Sequence, residues 1–112
     1  MLTKEQIEIH KKAKNVTDLH VAIGKVLLRR EYAFSESLIP LIMIAGELII
    51  SFVPEEQHEV AVAMVSVNLL ETVKVFNFIA KSNNDASCKS ALRDLVFAML
   101  TGERKSDDAT EN

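Results

Sequence analysis

Residues 38–53 read LIPLIMIAGELIISFV, and this run decides the fold class. Wound as a helix it covers about 24 Å. Glu36, Pro40, Glu47 and Ser51 then fall on one narrow strip, and nearly every other direction is apolar. A helix apolar nearly all round is expected to be buried nearly all round. A membrane span is the rival reading, but about 24 Å is short of a hydrocarbon core of about 30 Å. Glu47 would also sit near mid-run, at a cost of roughly 2.5 kcal/mol or more in lipid. The run therefore reads as a core or interface helix of a soluble protein, without membrane insertion. Glu47 is expected either at the exposed edge of the strip or against an Arg or Lys across an interface. Ser35 and Ser37 are the candidate caps, with Pro40 tolerated near the first turn.

Downstream, Pro54-Glu55-Glu56-Gln57 reads as a helix start, proline first and acids in the first turn. The helix is predicted to run to about Lys81. Its strongest seam is Val62, Val65, Leu69, Val73, Phe76 and Ala80, near heptad spacing, widened by Val60, Met64, Val67 and Phe78. Val60-Ala61-Val62-Ala63 alternates like a strand, yet no turn residue interrupts Pro54 to Lys81. Ser82-Asn83-Asn84-Asp85 is the clearest loop. Asp85 is the expected cap of a last helix, Ala86 to Thr101, anchored by Ala91, Leu92, Leu95, Val96, Met99 and Leu100. Gly102 is its stop.

Upstream, Thr3-Lys4-Glu5-Gln6 fits a capping box. A weakly anchored first helix, about Lys4 to Lys14, is expected to follow, with Ile7 and Ile9 as its anchors. A second carries the stripe Val16, Leu19, Ile23, Val26 and Leu27, with Gly24 inside it and Arg29 and Arg30 at its C-terminal end, where the dipole favours cations. Only three Gly and two Pro occur in 112 residues, and 48% of the chain is apolar. The expected fold is all-α: a compact bundle of four to five helices with long central helices, completed by homodimerisation. One helical domain, 1–102, is followed by a polar tail, 103–112, expected to be disordered.

Cys88 is the single cysteine, so no intramolecular disulfide can form, and the Met1–Gln6 start has no signal-like apolar segment. Both suit a cytoplasmic protein. Charge is uneven. Residues 1–30 hold seven basic against three acidic residues, +4, so the rest carries −7 of a chain at −3 overall. Such asymmetry can serve a partner or orient two protomers.

The candidates for chemistry are few. Glu55 and His58 form one Glu-x-x-His, whereas a di-metal bundle needs two such motifs and two further carboxylates; His10 and His20 lie ten apart. No metal site is expected. Cys88 adjoins Lys89 near a helix start but has no histidine close in sequence to act as its base. No phosphate loop or nucleophile elbow occurs, so no catalytic residue or cofactor is assigned. A helix-turn-helix fails because its reading helix would present Ile, Leu and Met. An anionic partner, nucleic acid included though not favoured, would meet Lys11, Lys12, Lys14, Arg29 and Arg30.

The function expected from these residues is that of a small non-catalytic regulatory or adaptor protein that binds protein, itself included. A nucleic-acid-associated regulator using the basic N-terminal segment is the alternative. A helical ligand-binding protein or enzyme with an inter-helix pocket is the third. The interface is placed on Leu41, Glu47, Leu48, Val62, Val65, Leu69, Val73 and Phe76, because two adjoining apolar faces exceed what a short first helix can cover.

Overall fold

The computed structural model describes residues 1–102; the expectation for the tail, 103–112, lies outside them. The chain is all-α, with four helices and no strand among the described residues. They are α1 (Lys4–Arg30), α2 (Phe34–Phe52), α3 (His58–Lys81) and α4 (Asp85–Thr101), with a single 3-10 turn at Glu55–Gln57 ahead of α3. The strand-like alternation at Val60–Ala63 is helical.

The capping box opens α1 as expected: the Thr3 N–H donates to Gln6 Oε1 at 2.8 Å, and the Gln6 N–H donates to Thr3 Oγ1 at 3.1 Å. The expected break after Lys14 is absent, and one helix runs from Lys4 to Arg30. No Gly or Pro stops it there. Lys14 instead pairs with Asp18 one turn on, at 2.7 Å, and the Thr17 hydroxyl donates to the Ala13 carbonyl. Sparse apolar anchors marked a weakly packed segment, not an end. The helix closes with Glu31 in the left-handed region, φ 51°.

α2 begins earlier than the serines suggest. Its cap is Ala33, whose N–H donates to Glu36 Oε1 at 2.9 Å. Alanine has no side-chain oxygen, so only the glutamate half of a capping box is present. Ser35 and Ser37 lie inside the helix. Pro40 therefore sits in the second turn, where it withholds the N–H that would reach the Glu36 carbonyl. Pro54 precedes a 3-10 turn, closed by the Gln57 N–H on the Pro54 carbonyl at 2.9 Å, and α3 proper starts at His58. The cap of α4 is Asn84, not Asp85: its side chain accepts the Ser87 N–H at 3.0 Å, and Asp85 becomes the first helical residue. Gly102 ends α4 in the left-handed conformation, φ 74°, as its place after Thr101 implies.

The described residues form two compact units, 1–18 with 69–102, and Leu19–Asn68; α1 and α3 each contribute to both. In the first, α4 carries the one buried apolar side chain among the described residues, Leu95, 8% exposed. Leu92, Val96, Phe97, Ala98 and Leu100 are half-buried around it. The His10 ring meets Phe97 edge-on with centroids 5.4 Å apart. In the second unit, Leu27, Leu38, Ala45, Ile49 and Val53 are half-buried and none is buried. The expectation that residues 38–53 are enclosed on nearly all sides is thus not met within one chain. A helix can bury only the sides its own neighbours reach.

Candidate functional site

α3 carries two apolar stripes, and they do different things. Its half-buried positions include Ala61, Asn68, Thr72, Val75 and Ile79, spaced seven, four, three and four apart. That is an inward stripe of mixed character, small or polar at Ala61, Asn68 and Thr72 and apolar at Val75 and Ile79. The apolar side chains Val62, Val65, Leu69, Val73 and Phe76 lie beside it and remain exposed, Leu69 at 57%. The spacing of the inner stripe was available in the sequence, but Asn68 and Thr72 hid it from a search for apolar residues.

α2 is the more exposed helix. Leu41 and Leu48 face solvent together with Ile42, Ile50 and Phe52, the last two at 70% and 81%. Glu47 is exposed and makes no ion pair with a described residue. It lines a shallow groove on α2 with Met43, Gly46, Ile50 and Ser51. By length and composition, α2 and the stretch Glu55–Lys81 could each cross a membrane.

The basic candidates separate. Lys11, Lys12, Arg29 and Arg30 are exposed. Lys14 is engaged by Asp18, and the hydrogen bond to that carboxylate, then its charge, holds the ammonium pKa above the usual lysine value. Lys14 also lines a cleft of about 390 Å³ between α1 and α4, with Leu92, Val96 and Phe97 on its apolar side and Lys89 and Arg93 on its rim. Those two cations stand four apart in the sequence, a spacing that places them on one helical face.

The remaining candidates make local bonds. His58 Nε2 lies 2.9 Å from the Val53 carbonyl and donates to it. The Cys88 thiol points at the Ile79 carbonyl, 3.8 Å away, and is half-buried. Among the described residues no three His, Cys, Asp or Glu side chains are grouped to hold a metal ion. No known protein family, curated protein or solved structure matches this chain.

Proposed function

We propose that this chain is a small non-catalytic binding protein that works as a homodimer and presents its helices to a protein partner. The observation that carries the reading is the exposed apolar surface of α2 and α3. From Ile39 to Phe52 the exposed apolar residues of α2 offer on the order of 1,000 Å², more than the about 800 Å² each partner gives a standard interface. Soluble monomers rarely leave so large an apolar patch in water. A two-fold axis covers it with its own copy, because the same patch then serves both sides.

A lipid-embedded protein is the second reading, favoured by the length of the two apolar helices. Against it stand Glu47 near mid-α2 and the Glu71–Lys74 pair, 3.6 Å apart, in α3. Light scattering of the purified protein separates the outcomes. A mass of twice 12.5 kDa at micromolar concentration, with unfolding that depends on concentration, is expected. A monomeric mass with concentration-independent unfolding overturns the dimer. Recovery only in detergent, from carbonate-washed membranes, overturns both solubility and the protein-binding role.

A further inference from the structure

We propose that the α1/α4 cleft receives the corner between α2 and α3 of a second copy of this chain. The inference rests on the dimer reading above and names the contact that orients the two copies. The cleft joins an apolar wall to a basic rim: Leu92, Val96 and Phe97 beside Lys89 and Arg93. Lys14 on the same rim is already matched by Asp18. Lys89 and Arg93 are both exposed and pair with no described carboxylate. Like charges four apart on a helix repel, and an anionic group set against this rim relieves that repulsion.

The corner has the complementary chemistry. From Glu31 to Val73 the chain holds seven carboxylates and no Lys or Arg. Three of them, Glu55, Glu56 and Glu59, cluster at the start of α3, all exposed. Phe52, 81% exposed, ends α2 just before them. An exposed aromatic followed by carboxylates suits a cleft with an apolar wall and a cationic rim: Phe52 goes against Val96 and Phe97, and Glu55 and Glu56 against Lys89 and Arg93. Two-fold symmetry makes the contact twice, each copy giving one corner and one cleft.

Charge reversal tests the pairing in the full chain. The variants are K89E/R93E and E55K/E56K, each checked for helicity by circular dichroism. Each alone places like charges in both contacts and is expected to weaken dimerisation tenfold or more by sedimentation equilibrium. Mixed one to one, they place opposite charges in both contacts, so a heterodimer of near-native affinity is expected. Added salt is expected to weaken the wild-type dimer, since exposed charges are screened. A native-strength dimer from either variant alone, or a mixture that stays monomeric, overturns this contact and leaves the dimer reading standing. A monomeric wild type overturns both.

Discussion

α2 and α4 are similar in length, nineteen and seventeen residues, yet their burial runs against their composition. α4 interleaves Lys89, Ser90, Arg93 and Asp94 with its apolar residues, and holds Leu95, buried in its own unit. α2 is almost wholly apolar from Leu38 to Phe52, yet its innermost residues, Leu38, Ala45 and Ile49, are only half-buried. α4 has the N-terminal part of α1 and the C-terminal part of α3 as companions in its unit, and its apolar stripe is about as wide as they can cover. The apolar surface of α2 outruns the neighbours its unit supplies. The hydrophobic effect drives apolar area out of water wherever a second surface can be found. An apolar surplus on one helix is therefore a reason to propose a covering surface, protein or lipid, whereas a matched stripe is accounted for by the chain itself.

The sharpest way to break this contrast is to remove the buried anchor. Leu95→Ala is expected to lower unfolding stability by about 2–4 kcal/mol in urea titrations, at every protein concentration. A cost below about 1 kcal/mol would show that α4 is no better anchored than α2.

Leu69→Asp puts a charge on the exposed stripe of α3. If that stripe meets a partner, the substitution is expected to cost about 1–3 kcal/mol and to halve the mass seen by light scattering. Were only solvent beside Leu69, mass and melting curve would stay as in the wild type.

A smaller effect is expected where α1 ends. Glu31 holds a left-handed conformation, φ 51°, that glycine adopts without a Cβ penalty. Glu31→Gly is expected to stabilise the fold by about 1 kcal/mol in the same titrations. No gain would mean that the turn between α1 and α2 is not held in this form in solution.

The smallest effect belongs to the Lys14–Asp18 pair, which is exposed. Its raised lysine pKa contributes stability that is present below the unfolded lysine value and lost as pH rises through the folded one. Asp18→Asn is expected to return the Lys14 pKa, followed by NMR, toward the ordinary value while leaving the melting temperature near pH 7 unchanged within error. An unmoved Lys14 titration would contradict the hydrogen bond between them.

Much of this was legible in the residues. The Thr3–Gln6 box, the Gly102 stop and the helical state of residues 38–53 and 54–81 follow from local chemistry. Local chemistry also misled. Ser35, Ser37 and Asp85 are good caps, but Glu36 reaching back to Ala33 and Asn84 reaching forward to Ser87 set the ends one or a few residues away. Cap choice among adjacent polar residues depends on how the chain enters the helix, which sequence spacing does not specify. The candidate interface was legible as an excess of apolar faces. That Lys89 and Arg93 share a cleft with Lys14 depends on α1 packing beside α4.

The sequence by itself determined that this protein is helical, that a loop falls near Ser82–Asp85, and that residues 38–53 and 60–80 are apolar on more than one face. These are properties of neighbouring residues: 3.6-residue periodicity, caps, and the absence of Gly and Pro between Glu55 and Lys81. Only the tertiary structure decided which stripe of α3 faces inward, that α4 holds the buried leucine, and that the cations of α1 and α4 share one cleft. Those outcomes come from contacts between residues far apart in the chain. There the widths of whole helical faces compete for the same few neighbours, and one helix's pattern cannot say which face wins.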